Sequence, residues 1–168
     1  TWLPFSINIP GVNLVINPTS RNAMNVDGAA NINPSITGVC DDSVYACGSP
    51  VTFTLVNSGT VISNTIFISV SNTTNFYVKA QTCTAAGGNT DGKLSPNESC
   101  SIEIIPKSTG NITYTGNLQI IANNNPFAIM QGTSTNFGCA PGRVGAGGKY
   151  ASCGQTDPGT GATYDLIV

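Results

Sequence analysis

The sequence predicts an all-β domain, an antiparallel β-sandwich of about seven to eight strands that is stapled by disulfides. Three observations predict it: short segments in which apolar and polar residues alternate, turn-forming residues between those segments, and six cysteines in a chain of 168 residues. Asn, Thr and Ser supply most of the polarity, and they suit turns and exposed strand faces better than helix interiors. No window of helical length has a convincing helical apolar period.

Alternation locates each strand in turn. Strands are predicted at residues 3–9, 12–17, 51–57, 65–71, 76–80, 100–105, 112–122 and 127–132. Within 65–71, for example, Ile66, Ile68 and Val70 share one face. Along 112–122 the apolar residues are in phase if a local irregularity near Gly116 is allowed. Short strands at such regular spacing are typical of an immunoglobulin-like sandwich.

Composition divides the chain into three parts. Residues 1–10 are a leading strand that ends at the turn signal Pro10-Gly11. Residues 11–134 are the sandwich, in which residues 21–50 form an inserted, loop-like segment. Residues 135–168 are rich in Gly and contain two cysteines. They are a C-terminal extension or the start of a truncated next domain, and they are too poor in apolar residues to bury much of a core.

The cysteines indicate disulfides formed outside the cytosol. They are Cys40, Cys47, Cys83, Cys100, Cys139 and Cys153. The chain has no His, which excludes a mixed Cys/His zinc site, and no C-x-x-C pair for a cysteine-only zinc or redox site. Six cysteines allow many pairings, and joining each to its neighbour in sequence is the simplest because every such pair closes a short, turn-rich loop. We therefore expect an extracellular protein, secreted or on a cell surface.

The charge of the chain argues against two classes of partner. Charged residues make up 8% of the sequence, the net charge is −2, and there is no Lys/Arg cluster of the kind that nucleic acid or an anionic membrane surface requires. No apolar run approaches the roughly 20 residues that span a bilayer. The expected partner is a protein or a glycan on a host or bacterial surface.

Four stretches of the sequence resemble the bacterial Ig-like domains of the ASH type (abnormal-spindle and Hydin), also called choice-of-anchor D domains. They are INPTS (16–20), VTFTLVNSGT (51–60), LSPNESCSIEIIPKSTGNITYTGNLQI (94–120) and IMQGTS (129–134). The third stretch carries the family landmarks in order, as Leu94, Pro96, Cys100, Pro106, Gly110 and Gly116. The segment 21–50 is longer than the family norm and bears cysteines.

The resemblance covers about residues 11–134 and implies a sandwich of about seven to eight strands that serves as a scaffold or interaction module, without catalytic residues. The tail, GRVGAGGKYASCG followed by YDLIV, resembles the opening of the C-terminal domain of Legionella collagen-like adhesins. That likeness implies a surface-exposed, adhesive role for the extension.

Residue types argue against catalysis and for turns. Acid–base and nucleophilic chemistry need a base poised near neutral pH, and His is absent, so we expect no enzyme, no catalytic residues and no cofactor.

In NTDGKLSPNE (89–98), Asn89, Asp91 and Glu98 have the oxygen-ligand spacing of a calcium loop, with Gly92 at its sixth position. The first position would be Gly87, which has no side-chain ligand. A β-turn is therefore the preferred interpretation, and no metal is expected.

The function expected from these features is a non-catalytic secreted or cell-surface module for protein interaction or domain presentation. The alternative is a glycan- or host-matrix-binding adhesin domain with its site in or beyond the C-terminal extension. The predicted binding residues are Tyr45, Asp41 and Asp42, because they lie on the loop that Cys40 and Cys47 would constrain, and a constrained exposed aromatic loses little entropy on binding.

Overall fold

The computed structural model describes residues 11–28, 39–40 and 46–135 with their side chains. Nearer the C-terminus it describes the backbone of residues 144–145, 148–156, 159–160 and 163–167. The strands are β1 (Leu14–Asn17), β2 (Ser20–Arg21), β3 (Val26–Asp27), β4 (Ala46–Cys47), β5 (Val51–Asn57), β6 (Phe67–Val70), β7 (Phe76–Gln81), β8 (Ser99–Ser108), β9 (Thr113–Ile121), β10 (Phe127–Thr135), β11 (Val144–Gly145), β12 (Gly148–Thr156) and β13 (Thr163–Ile167). A single 3-10 turn, Ala85–Gly87, follows β7.

The first sheet is built around β8. Its order is β1-β5-β8-β4, with β7 also pairing with β8, and all its pairings are antiparallel. β8 continues past its predicted end at residue 105, through Pro106 to Ser108. Pro106 is paired with Phe76 of β7, but its backbone faces the other side of β8, where its carbonyl accepts a hydrogen bond from Gly48. On that side it lies between the part of β8 that pairs with β5 and the part that pairs with β4, so its missing N–H removes no hydrogen bond from a ladder. β1 stands at one end of this order, with one of its two edges turned away from the sheet.

The second sheet has the order β2-β10-β9-β6, and β3 also pairs with β10. The two short strands run parallel to β10, whereas β9 pairs antiparallel with both β10 and β6. The chain crosses from the first sheet to the second between β1 and β2, where the Asn17–Pro18 peptide bond is cis. The short strands β3 and β4 lie within residues 21–50, the segment predicted to be loop-like, and β2 begins one residue before it. They were missed because a two-residue strand leaves no alternation to detect.

β9 alternates without interruption, so the predicted irregularity near Gly116 is wrong. Tyr114, Gly116, Leu118 and Ile120 all face inward. Gly116 takes an inward position because the ring of Phe76 packs directly over it: a Cβ atom there would lie 3.0 Å from that ring.

The core lies between the inner faces of the two sheets. Phe53 and Leu55 of β5, Ile102 of β8, Leu118 of β9 and Met130 of β10 are all fully buried in one apolar cluster. Phe76 and Tyr114 meet edge to face across the sandwich, with ring centroids 5.4 Å apart and an interplanar angle of 72°. The prediction of an all-β sandwich is confirmed.

Two disulfides staple the sandwich, also as predicted. Cys83, just after β7, is joined to Cys100 at the start of β8, with a Cα–Cα distance of 5.0 Å. Cys40 is joined to Cys47 of β4, 5.6 Å apart at Cα, and both pack on Ile105. Cys139 and the side chain of Cys153 lie outside the described residues, as does the predicted leading strand, 3–9. Strands β11, β12 and β13 form a third sheet in that order.

Candidate functional site

The outer face of the second sheet carries an apolar patch at one end. Phe67, Ile121, Phe127 and Ile129 lie there, with 59%, 49%, 52% and 39% of their surfaces exposed. Phe67 and Ile121 are cross-strand partners, and Phe127 lies diagonally across from Ile121 because its own partner is Gln119. We call these four residues the outer patch. Contiguous exposed apolar surface of this kind is typical of a site of contact with another molecule.

The three strands that carry the outer patch, β6, β9 and β10, expose no charged side chain on this face; the exposed carboxyl on it belongs to Asp27 of β3, opposite Thr135 at the far end of β10. The remaining exposed positions of β9 and β10 are Thr113, Thr115, Asn117, Gln119, Gln131, Thr133 and Thr135, and the exposed positions of β6 are Phe67 and Ser69. None of these side chains is ionisable. Depletion of charge together with exposed aromatic residues is characteristic of the central part of protein interfaces. The face is therefore suited to packing against another protein surface.

A groove of about 630 Å³ lies beside the outer patch, along the edge of the sandwich. It is lined by Leu14, Val15 and Ile16 of β1 on one side and by Phe127 and Ile129 of β10 on the other. Thr19, Ser20 and the turn 124–126 close its ends. The groove and the outer patch share Phe127 and Ile129, so the apolar surface is continuous from β6 to β1.

The turn between β9 and β10, Asn123-Asn124-Asn125-Pro126, fastens three parts of the chain. The Oδ1 atom of Asn123 accepts a hydrogen bond from the backbone N–H of Asn64, at 2.8 Å. Asn124 uses both ends of its side-chain amide: Oδ1 accepts from the N–H of Leu14 at 3.0 Å, and Nδ2 donates to the carbonyl of Leu14 at 2.9 Å. Asn125, which has a φ of 46°, closes the turn itself by accepting from the N–H of Ala122.

Buried polar groups in the described part of the chain have partners within the fold. No buried side-chain nitrogen or oxygen there lacks a hydrogen bond. The hydroxyl of Tyr114 donates to the carbonyl of Met24 at 2.6 Å, and burial raises the pKa of Tyr114 to about 12. Partial burial lowers the pKa of Lys107. These groups serve the fold, which leaves the exposed apolar surface as the candidate functional site.

The three oxygen-bearing residues of the calcium alternative are engaged in loop hydrogen bonds. Asn89 donates through Nδ2 to the carbonyl of Lys93 at 2.7 Å, and Asp91 accepts through Oδ1 from the N–H of Lys93 at 3.1 Å. Glu98 accepts through Oε2 from the N–H of Ser95 at 2.7 Å. These are the contacts of a turn. Among the described residues, no three His, Cys, Asp or Glu side chains are grouped as metal ligands would be.

The predicted binding residues Tyr45, Asp41 and Asp42 lie outside the described residues, so the structure places none of them at the candidate site. Sequence reasoning missed the outer patch, although a signal was present. Phe67 interrupts the phase of Ile66 and Ile68, and an apolar residue on the polar face of a strand is exposed. The part of the chain that the structure describes has no helix long and apolar enough to span a bilayer.

Comparison with known proteins gives remote structural neighbours. No family model and no curated protein matches the sequence. Among solved structures, the chain is similar to the VesB protease of Vibrio cholerae, with 14% identity and a TM-score of 0.41 over 72% of this chain and 31% of that one. It is also similar to the secreted serine protease VesC of Vibrio cholerae, with 16% identity and a TM-score of 0.41 over 74% of this chain and 23% of that one. The chain spans less than a third of either protease.

These neighbours correct two expectations drawn from the sequence. The non-catalytic surface module, with its glycan-binding alternative, and the exclusion of an enzyme are both contradicted, because both neighbours are proteases. The exclusion of an enzyme rested on the absence of His. That absence limits the catalytic side chains that this chain can supply, but not those that another polypeptide packed against it could supply. The resemblance to ASH-type domains stays a prediction.

Proposed function

We propose that the chain is the β-sandwich part of an exported enzyme, and that it packs through the outer patch against the part of the enzyme that carries the catalytic groups. The outer patch is the observation that carries this proposal: Phe67, Ile121, Phe127 and Ile129 form exposed, continuous apolar surface on three strands whose other exposed side chains are uncharged. Covering that surface with another folded part of the protein removes it from water, which is favourable by about 25 cal/mol of free energy per Å² of apolar area buried.

Two further features support this arrangement. The chain has no His, so the general base of a serine-protease type of reaction would come from the part packed against the patch. The disulfides Cys40–Cys47 and Cys83–Cys100 suit an enzyme that acts in an oxidising medium outside the cell. The proposed surface is thus an internal interface of an enzyme, unlike the stand-alone module expected from the sequence.

Footprinting of the patch tests the proposal directly. The whole product of the gene that encodes this chain and the 168-residue chain alone are each exposed to hydroxyl radicals, and oxidation is measured at Phe67 and Phe127. We expect both rings to be oxidised in the chain alone and protected in the whole product. Phe53, which is fully buried, is the internal control and is expected to stay protected in both samples.

An activity assay tests the enzymatic part of the proposal. Proteolysis is the first reaction to assay, with a fluorescent casein as a general protein substrate. We expect the whole gene product to cleave it and the double variant Phe67→Ser/Ile121→Ser to lose stability and activity. The matched control Thr115→Ser/Thr133→Ser changes exposed residues of the same face outside the patch. Neither change is expected to alter the free energy of unfolding of the chain alone by more than about 0.5 kcal/mol.

Two results would overturn the proposal. Equal oxidation of Phe67 and Phe127 in the chain alone and in the whole product would show that nothing packs on the patch. The patch could also be protected in a whole gene product that hydrolyses no protein, peptide or ester substrate. That result would support the interface and contradict the enzymatic part of the proposal.

A further inference from the structure

The chain enters the sandwich close to one end of the apolar groove between β1 and β10. Gly11 is held there by two hydrogen bonds with Thr60: its N–H donates to Oγ1 at 3.2 Å, and its C=O accepts from the N–H of Thr60 at 2.9 Å. Three residues further on, Leu14 bonds through both of its backbone groups to Asn124, which lines that end of the groove. Because an extended chain rises about 3.3 Å per residue, residues 1–10 are attached about 10 Å from the groove.

The groove is open to solvent through apolar side chains. Val15 on one wall is 42% exposed, and Phe127 and Ile129 on the other wall are also exposed. Leu14 and Ile16 are 1% and 2% exposed as whole residues, so the backbone of β1 beside the groove is covered. An occupant would therefore be held by side-chain packing and not by pairing with β1. None of the lining residues is charged, so an uncharged, apolar occupant would bury no unpaired charge there.

Residues 1–10, which lie outside the described residues, have the composition that such a groove requires. Their sequence, Thr-Trp-Leu-Pro-Phe-Ser-Ile-Asn-Ile-Pro, contains no charged residue. Every second position from the third onward is apolar, and these residues are Leu3, Phe5, Ile7 and Ile9. Alternate side chains of an extended chain point to the same side, so these four would form one apolar face.

The segment is also long enough to fill the groove. The turn signal Pro10-Gly11 allows the chain to reverse its direction. On the β1 side the lining runs from Leu14 to Ser20, which are at most about 20 Å apart. With the roughly 10 Å between the point of attachment and the groove, a length of about 30 Å is needed. Ten extended residues span about 33 Å, so residues 1–10 can reach the far end.

We propose that residues 1–10 fold back and occupy this groove of their own chain, with their apolar face packed on Val15 and Ile129. The covalent attachment favours this occupant over a separate polypeptide, because a short link gives an effective concentration in the millimolar range and even weak intrinsic binding then fills the groove. The outer patch stays available. Phe67 and Ile121 lie outside the groove, and Phe127 borders both surfaces, so part of its ring stays exposed.

Photo-crosslinking locates the segment. Phe5 of the 168-residue chain is replaced by p-benzoylphenylalanine, the protein is irradiated, and the crosslinked peptides are identified by mass spectrometry. We expect a crosslink within one chain, to a peptide that contains Val15 or Ile129. The matched control carries the same photoreactive residue in place of Ile112, which is 45% exposed and lies outside the groove. The control is expected to give no crosslink to residues 1–10.

Fluorescence measures how well the groove shields the segment. Trp2 is the one tryptophan of the sequence, and the variant Trp2→Phe/Phe5→Trp moves it to the apolar face of the segment. We expect this tryptophan to be shielded from acrylamide. Adding Val15→Asp places a charge on the groove wall, and we expect it to raise the quenching constant by a factor of about two or more. Adding Ile112→Asp instead, at a similarly exposed position, is expected to leave the quenching constant unchanged.

Three results would overturn the proposal: a crosslink from position 5 that joins two chains, a crosslink that maps only outside the groove, and quenching as strong in the folded protein as in urea. If Val15→Asp loses the native circular dichroism spectrum, Val15→Ser, which also removes the apolar wall, takes its place. These measurements use neither enzymatic activity nor protection of the outer patch in the whole gene product. Failure of this proposal is therefore distinguishable from failure of the proposed function.

Discussion

At the scale of single residues, buried polar side chains hold the loops of this sandwich to its sheets. Asn57, at the end of β5, is fully buried. Its Nδ2 atom donates to the carbonyls of Val61 and Leu94 at 2.8 and 2.9 Å, and its Oδ1 atom accepts from the N–H of Gly59 at 3.0 Å. One amide thus joins the turn after β5 to the segment that precedes β8. Leaving one of these buried hydrogen-bonding groups without a partner would lower the stability of the fold.

Asn57→Ala is expected to lower the free energy of unfolding by about 2–3 kcal/mol, because it removes the two hydrogen bonds that Nδ2 donates to Val61 and Leu94 and the one that Oδ1 accepts from Gly59. Urea denaturation followed by fluorescence measures the change. Asn13→Ala is the control, because Nδ2 of Asn13 donates to the hydroxyl of Ser58 in an exposed setting. Its loss is expected to cost no more than about 0.5 kcal/mol. Equal costs at the two positions would contradict the role given to Asn57.

A single buried hydrogen bond from Tyr114 joins strand β9 to the segment that leads into β3. The hydroxyl of Tyr114 donates to the carbonyl of Met24, just before β3, and its ring packs edge to face against Phe76. Tyr114→Phe keeps the ring and removes the donor, so the expected loss is about 1–2 kcal/mol of unfolding free energy. Tyr77→Phe, a change at a partly exposed tyrosine of β7, is the matched control and is expected to be near neutral.

The same tyrosine predicts how stability depends on alkaline pH. Burial raises the pKa of Tyr114 in the folded protein from 10.0 to about 12. A raised pKa means that the folded state keeps a proton that the unfolded state releases, so this contribution is complete below pH 10 and is lost between pH 10 and 12. Urea midpoints at intervals over that range are expected to fall in the wild type. A fall of the same size in Tyr114→Phe would show that another group is responsible.

At the scale of elements, close backbone contacts fix where β3 and β10 meet. Gly132 of β10 lies against the segment that leads into β3: a Cβ atom there would overlap the carbonyl oxygen of Met24 and lie 2.7 Å from Cε2 of Tyr114. The glycine is required at this position by the approach of the backbone. The short parallel pairing of β3 with β10, Ser134 to Val26 and Thr135 to Asp27, depends on that approach.

Gly132→Ala is therefore expected to destabilise the protein by about 3 kcal/mol, at the upper end of the cost of overpacking a core. The matched change is Gly110→Ala in the turn before β9, where a Cβ atom would have nothing within 4 Å. That change is expected to be neutral or slightly stabilising, because alanine restricts the unfolded chain. Thermal denaturation of the two variants beside the wild type gives the comparison. Similar melting temperatures for Gly132→Ala and Gly110→Ala would contradict the close approach of Gly132 to Met24.

The long strands could be predicted from the sequence, whereas the short ones could not. β5 has its predicted bounds because Phe53 and Leu55 alternate with polar residues and one face is buried. The predicted end of β8 at residue 105 was too early, because a proline argues against a strand unless its missing N–H lies where no ladder hydrogen bond is needed, as at Pro106 between the β5 and β4 pairings. β2 and β3 pair through two residues each, and their position is decided by contacts with β10 rather than by local pattern.

At the scale of the whole molecule, the sequence predicted the sandwich and its staples but not its exposed surfaces. The inward phase of a strand follows from periodicity, and the same periodicity marks Phe67 and Ile121 as outward. What the sequence cannot show is that these residues come from strands adjacent in space and make one patch. The contact of Asn124 with Leu14 is hidden for a related reason: in a chain rich in Asn, a turn residue that bonds a distant strand has the same local pattern as one that does not.

The composition of the whole chain also decides how it responds to salt. Charged residues make up 8% of the sequence. Lys79 and Glu103 form a surface ion pair, with Nζ and Oε1 3.0 Å apart and both side chains about a third exposed. Such a pair contributes about 0–1 kcal/mol and is screened by salt. Stability therefore comes from the apolar core, the hydrogen bonds and the disulfides, none of which sodium chloride screens.

The unfolding free energy is accordingly expected to change by less than about 0.5 kcal/mol between low and high sodium chloride, and Lys79→Ala to cost no more than about that amount at low salt. Urea denaturation of both proteins in the two buffers measures this. The Lys79→Ala variant is expected to be less sensitive to salt than the wild type, because it has lost the pair that salt screens. A wild-type protein that loses more than about 1 kcal/mol on adding salt would mean that charges contribute far more to its stability than a surface pair can.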